Sequence, residues 1–409
     1  LSLTLNTVTG AYEFRLFDAL IHVADDGQNT DLRSGLPVDG IQASVPNIDF
    51  GSIITFTDRD GDQVTLNGKF TVTITDDVPH ADIDIGRGSV TIDETPGNQA
   101  DDTTSSSVRN LFANLEATFV NGVRLVGDDP DVSGDNNGGN SGNGGIAYAH
   151  SDFAVVVNDS VIGSDSPPYP HQFTLSVTNG NETASGLFVT DGSPINLSMR
   201  DGLVIGTVVG GQFDGKVAFA IAIGADGEVS VAQYLSIRHD DRGDSNESND
   251  NGSNNNDASP DDPVTIQQTL NGKITATLTV TDSDGDQSSN SVNIGNLIAF
   301  LDDGPSVDVK VVHDAHLIHD ETPGIDAADD DVAGTTAFAG STLAAVFSAV
   351  DTPRGDDPHV TDNPIGYALT NGTVFSLTTQ NYGADGAAAV KPIQYELVLS
   401  SNNAHSGLQ

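Results

Sequence analysis

Apolar and polar residues alternate along much of this chain. Val, Ile, Leu or Phe alternates with Thr or Ser at residues 64–66, 70–75, 173–178 and 274–281. This alternation is typical of antiparallel strands that turn one face to a core and the other to solvent. The dipeptides Asn67-Gly68 and Asn271-Gly272 are strong hairpin-turn signals. The pattern predicts an all-β fold, in which only residues 107–117 and 341–350 are compatible with either a short helix or a strand pair.

The chain repeats itself after about 225 residues. Three motifs recur in the same order: Asp-x-Asp-Gly-Asp at 58–62 and 282–286, Asp-Asp-x-Pro at 76–79 and 302–305, and Asp-Glu-Thr-Pro-Gly at 93–97 and 320–324. The chain holds just under two copies and begins and ends within a repeat unit. We therefore expect it to be a window cut from a longer tandem array.

Pro-terminated junctions predict module boundaries near His80 and Ser306, because Pro restricts its own backbone and that of the preceding residue. Residues 1–80 are then the C-terminal part of one repeat unit, 81–305 a complete unit, and 306–409 the truncated start of the next. The complete unit is either one sandwich or two. The strand count favours a larger sandwich over about 81–226 and a smaller one over about 227–305, with a disordered polar loop at 240–262.

Charge narrows the range of partners. The chain carries 59 Asp+Glu against 15 Lys+Arg, a net charge of −44, and only eight of the acidic residues are Glu. Nucleic acid and anionic membranes need a basic surface, so neither is an expected partner. No apolar run is long enough to predict membrane insertion. Bound cations would relieve the self-repulsion, and the lack of Cys excludes disulfides, thiolate metal sites and Cys nucleophiles.

The Asp-x-Asp-Gly-Asp motif is the strongest chemical signal. Three carboxylates at alternate positions, with a Gly that permits a sharp turn, can converge on a hard cation. The loop is not an EF-hand, because its twelfth position holds Lys69 or Asn293 where an EF-hand has Glu. The predicted Ca²⁺ ligands in the two copies are Asp58, Asp60 and Asp62, and Asp282, Asp284 and Asp286.

A second set of acidic residues lies at the predicted junctions. It comprises Asp76, Asp77, Asp93 and Glu94 in the first copy, and Asp302, Asp303, Asp320 and Glu321 in the second. Carboxylates at the end of one module can meet acidic loops of the next and share an ion, as in the linkers of cadherin-like modules. The alternative is an Asx-turn that only opens the linker.

Five segments resemble the tandem repeat domain of giant RTX-like bacterial adhesins, large extracellular proteins exported by type I secretion. They are residues 12–22, 57–62, 64–79, 185–192 and 227–239. The resemblance implies an extracellular, calcium-rich stalk of an adhesin or biofilm protein at the bacterial cell surface. Two departures are that the glycine-rich RTX nonapeptide is absent, and that Ile21 replaces the acidic residue that usually precedes His22.

The combined expectation is an elongated array of tandem Ig-like or cadherin-like β-sandwich modules, stiffened by Ca²⁺ and partnered by neighbouring modules of the same chain. No His-Glu-x-x-His, Gly-x-Ser-x-Gly or phosphate-loop motif occurs, so we expect no catalysis. One alternative is a self-assembling subunit of an extracellular filament or surface layer, with further copies of itself as partners. Others are the non-catalytic part of a secreted RTX enzyme or toxin, and an acidic surface that serves only solvation.

Overall fold

The computed structural model describes most of the chain. The described residues are 1–23, 28–35, 43–94, 101–116, 119–120, 123–127, 146–164, 171–180, 182–238, 270–301, 306–312, 316–320, 329–348, 366–370, 372–383, 387 and 392–395. The predicted loop at 240–262 lies outside them. Contacts divide the chain into two compact units, one of Leu1–Gly304 with Gly383–Gln409 and one of Pro305–Tyr382.

Strands dominate the structure. Strands contain 44% of the residues and helices contain 8%, so the all-β prediction is confirmed. Among the described residues, no helix has both the length and the apolar character that crossing a membrane would require.

The first part of the larger unit consists of short paired strands. They are β1 (Ser2–Leu5), β2 (Tyr12–Arg15), β3 (Leu32–Arg33), β4 (Ser44–Val45), β5 (Ile48–Asp49), β6 (Thr55–Thr57), β7 (Gln63–Thr65) and β8 (Thr71–Val72). β1 pairs with β2, β3 with β4, β5 with β8, and β6 with β7, all antiparallel. Aromatic contacts link these ribbons, since Phe70 lies 4.9 Å from Tyr12 and 6.1 Å from Phe50 between ring centroids.

The described remainder of this unit contains longer strands, an α-helix and a 3-10 turn at Gly295–Leu297. The elements are β9 (Ile83–Ile85), β10 (Val90–Asp93), α1 (Ser106–Glu116), β11 (Phe119–Val120), β12 (Val123–Arg124), β13 (Ala147–His150), β14 (Val156–Asn158), β15 (Gln172–Val177), β16 (Thr183–Phe188), β17 (Pro194–Arg200), β18 (Leu203–Val208), β19 (Val217–Ile223), β20 (Val229–Gln233), β21 (Ile274–Thr281), β22 (Gln287–Asn293) and β23 (Ile298–Leu301). They form a six-stranded sheet in the order β13-β20-β19-β18-β17-β16 and a three-stranded sheet in the order β15-β21-β22. Smaller pairs join β9 to β14 and, in parallel, β10 to β23.

A shared core lies between the two larger sheets. β15 lies against β17, β18 and β19, and buried side chains from both sheets belong to one apolar cluster. The opposite face of the six-stranded sheet is covered by α1 through Val108, Phe112 and Leu115. These side chains lie four and three residues apart, so they share one face of the helix.

Burial along the strands follows from this layering. In β21 every second residue is buried, because only one face of that strand meets the core. All five residues of β20 and the first six of β19 are buried, because the core covers one face of their sheet and α1 the other.

The sequence predicts a division between two sandwiches at residue 227, but strands on either side of that residue pair with each other. β20 lies between β13 and β19, and β21 pairs with β15.

The smaller unit contains β24 (Ser306–Val311), β25 (Asp331–Val332), β26 (Ala337–Phe338), β27 (Ser341–Thr342), α2 (Leu343–Phe347), β28 (Tyr367–Ala368) and β29 (Phe375–Asn381). β24 pairs with β29, β25 with β28, and β26 with β27. Contacts in this unit match contacts in the larger one: for example, the Ile318 amide donates to the Asp330 carboxylate at 2.7 Å, as the Thr91 amide does to Asp101. The repeated sequence thus produces repeated local structure.

Candidate metal centre

The Asp58–Asp62 segment forms a tight loop between β6 and β7. Asp58 Oδ1 accepts hydrogen bonds from the amides of Asp60, Gly61 and Asp62 at 3.2, 3.0 and 2.9 Å. Gly61 has a φ of +100°, which lets the chain turn within the motif. The three carboxylates offer oxygens within 4.8 Å of one another, and all three residues are exposed. A hydrogen bond from the Asp60 side chain, together with these amides, lowers the pKa of Asp58.

The second copy of the motif folds into the same loop between β21 and β22. Asp282 Oδ1 accepts from the amides of Gly285 and Asp286 at 3.1 and 2.9 Å, and the φ of Gly285 is +111°. The surroundings differ, because this loop is buried. Asp282, Asp284 and Asp286 are 0%, 5% and 2% exposed, and they too offer oxygens within 4.8 Å of one another.

Residues of the first repeat copy cover this second loop. The His22 amide donates to Asp284 Oδ2 at 3.0 Å across 262 positions of sequence. The His22 ring lies against Asp76, with 3.0 Å between Nδ1 and Asp76 Oδ1, and both residues are 3% exposed. Asn29 holds Asp76 in place, since its carbonyl accepts from the Asp76 amide at 2.9 Å and its side-chain amide reaches Asp76 Oδ2 at 3.3 Å.

Two triads of possible ligands result, and they share one residue. His22, Asp76 and Asp284 form a mixed nitrogen and oxygen triad, and Asp282, Asp284 and Asp286 form an all-oxygen triad. The ligand atoms within each triad lie within 4.8 Å of one another. That spacing allows each triad to surround a divalent cation, because oxygen ligands on opposite sides of Ca²⁺ lie about 5 Å apart.

The cluster consists of several carboxylates removed from water, with His22 as their neighbour. Burial, followed by the neighbouring carboxyl group of Asp284, raises the pKa of Asp282 to about 7. Burial and the charge of Asp284 likewise raise the pKa of Asp76 to about 6, against the opposing effect of His22. Two buried oxygens, Asp282 Oδ2 and Asp284 Oδ1, lack a hydrogen-bond partner. Unpaired buried oxygens of this kind are costly unless a proton or a cation neutralises them.

The other predicted ligands lie elsewhere. Asp77 accepts from the Ser164 amide at 2.6 Å. Asp93 ends β10, and buried Glu94 accepts from the Ile237 amide at 3.0 Å and from the Gln233 side chain. The Asp320 amide donates to Asp331 in the smaller unit at 3.3 Å. Among the described residues, none of these four joins a group of three possible ligands, and Asp302, Asp303 and Glu321 lie outside the described residues.

Sequence reasoning missed His22. His22 has no partner residue at a metal-binding spacing in the sequence, and its contacts to Asp76 and Asp284 exist only in the folded chain. The repeat offered one indication, because the segment that ends at His22 has a counterpart that ends at His239.

Comparison with known proteins gives a family match. A family model with the description "Domain of unknown function (DUF5801)" matches residues 89–295, about half of the chain. No curated protein and no solved structure matches the chain.

Proposed function

We propose, from the premise that this chain belongs to the family described as Domain of unknown function (DUF5801), that it is a non-catalytic, calcium-binding repeat segment. Its parent would be a bacterial extracellular adhesin or biofilm protein, in which the segment acts as a stalk that calcium stiffens. The resemblance of its repeated segments to giant type I-secreted adhesins supports the extracellular part of the proposal. The buried acidic cluster supports the calcium-binding part.

The single observation that carries the proposal is the buried, unpartnered pair of oxygens on Asp282 and Asp284. In the described part of the chain, neither carboxylate pairs with a Lys or Arg. Ca²⁺ takes six to eight oxygen ligands from carboxylates, carbonyls and water. A calcium ion in the loop would satisfy both oxygens and neutralise charge that the fold keeps from solvent.

The stiffening part of the proposal depends on which repeat copy supplies each residue around the Asp282–Asp286 loop. The all-oxygen triad belongs to the second repeat copy, whereas His22 and Asp76, which cover it, belong to the first. A cation that neutralises the loop removes repulsion between Asp76 and Asp284, which otherwise opposes this contact. Ion binding is therefore coupled to the docking of His22 and Asp76 on the β21–β22 hairpin.

Calcium titration tests the proposal. Free calcium at 100 times its dissociation constant should stabilise the fold by about 2.7 kcal/mol relative to a chelated sample. Asp284→Asn should abolish most of that gain. The matched control is Asp201→Asn, which removes one charge from a side chain that is 71% exposed at a φ of +51°, a conformation that Asn accepts readily.

Thermal melts and isothermal titration give the stability and the stoichiometry, and small-angle scattering with and without chelator reports stiffness. If calcium binds no more tightly than at millimolar concentration and chelation changes neither the melt nor the scattering, the calcium mechanism is wrong. An equal stabilisation by KCl would mean that the acidic residues serve solvation.

A further inference from the structure

The His22 ring has a defined orientation. Its Nε2 lies 3.3 Å from the carbonyl oxygen of Ile74. A carbonyl oxygen can only accept a hydrogen bond, so Nε2 carries the hydrogen. In the neutral ring Nδ1 is then a bare lone pair, and it points at Asp76 Oδ1, 3.0 Å away.

A lone pair that faces a carboxylate oxygen is repulsive unless something positive lies between or beside them. An imidazolium proton would satisfy this one contact. That proton would not reach Asp284 Oδ1, which would stay buried without a hydrogen-bond partner. One positive charge also falls short of balancing the carboxylates of Asp76, Asp282, Asp284 and Asp286, which are all buried. A divalent cation satisfies the nitrogen and both carboxylates together.

The hydrogen bond on the far side of the ring agrees with a ligand role. A metal-binding His usually donates its other ring N–H to a carbonyl or carboxylate, which fixes the tautomer and the ring orientation. The contact of Nε2 with Ile74 has this form. The His22 amide also donates to Asp284 Oδ2, so Oδ1 of that carboxylate is the oxygen that this cation would share with the calcium ion in the loop.

We infer that His22, Asp76 and Asp284 bind a nitrogen-accepting divalent cation of the zinc class, in a site separate from the calcium loop but joined to it through the shared Asp284. Zinc accepts imidazole nitrogen at about 2.0–2.1 Å and carboxylate oxygen at about 2.0–2.2 Å, and three protein ligands with one water are a common set. Calcium prefers oxygen ligands, so it favours the neighbouring triad. The inference rests on the proposed function only for the calcium ion in the loop.

The test is zinc binding to the full chain, first stripped with chelator and then saturated with CaCl₂. Wild type should bind one more equivalent of Zn²⁺ than His22→Ala, measured by titration calorimetry and by metal analysis after dialysis. His171→Ala is the matched control, because His171 is half-buried and its Nε2, like that of His22, faces a backbone carbonyl, that of Ala225 at 3.1 Å. That control should bind as much zinc as wild type. Equal zinc binding by wild type and folded His22→Ala would overturn the inference.

A second measurement does not depend on the variant folding. Zinc K-edge absorption of the calcium-saturated wild type, loaded with one equivalent, should show one imidazole nitrogen at about 2.0 Å among oxygen ligands. An all-oxygen shell would overturn the inference. The two proposals fail separately: calcium binding without the His22-dependent zinc equivalent leaves the proposed function intact, and zinc binding without calcium binding refutes the proposed function alone.

Discussion

Replacing Asp282 by Asn should stabilise the metal-free protein at neutral and alkaline pH. Asp282 is fully buried and its pKa is raised from 3.8 to about 7, first by burial and then by Asp284. A group whose pKa is higher in the folded state gives stability that is fully present below pH 3.8. That stability is lost as the pH rises through 7. The rise in pKa corresponds to about 4 kcal/mol.

Asn reproduces the protonated state without titrating. Its Oδ1 still accepts from the Gly285 and Asp286 amides, and its Nδ2 can donate to Asp284 where the acid proton would. In excess chelator the variant and wild type should therefore be about equally stable near pH 4. The variant should become more stable by up to about 4 kcal/mol by pH 8. In calcium the order should reverse, because Asn is a weaker ligand than a carboxylate.

Urea denaturation followed by circular dichroism, at a series of pH values in chelator and in calcium, measures both effects. The useful quantity is the difference in the free energy of unfolding between variant and wild type, since other titrating groups cancel. A difference independent of pH in chelator, or a variant less stable than wild type at pH 8 without metal, would refute the reasoning.

Three further variants test other parts of the structure. Asp58→Asn should remove one weaker calcium-binding step in calorimetry and leave the thermal midpoint unchanged, because that loop is exposed and Asn keeps the acceptor for the three amides. A large drop in the midpoint would contradict this prediction. Gly285→Ala should lower the free energy of unfolding by about 1–3 kcal/mol in urea denaturation and weaken calcium binding, because a side chain is strained at its φ of +111°. Unchanged binding would show that the turn does not position the ligands. Phe112→Ala should cost about 3–5 kcal/mol by the same denaturation measurement, because the ring is fully buried between α1 and the six-stranded sheet, whereas Leu111→Ala, at a residue 47% exposed, should cost far less.

The strands and their turns could be predicted from local sequence. Alternation in residues 274–281 became β21, with every second residue buried. The same local logic failed for residues 107–117, where a helix and a strand pair stayed equally open. Helix α1 is selected by the apolar face of the six-stranded sheet, which Phe112 covers. The pairing of β10 with β23, about 200 residues apart in sequence, likewise depends on long-range packing.

The sequence by itself determined the two acidic loops. Asp-x-Asp-Gly-Asp folds alike in both copies, since its hydrogen bonds run within the motif and its Gly takes a positive φ each time. Only the tertiary structure decided that one loop is exposed and the other buried against His22 and Asp76. The physical reason is that burial of a loop depends on which distant segment covers it. Burial in turn raises the pKa of Asp282 and creates the need for a cation. Two identical motifs therefore acquire different electrostatics.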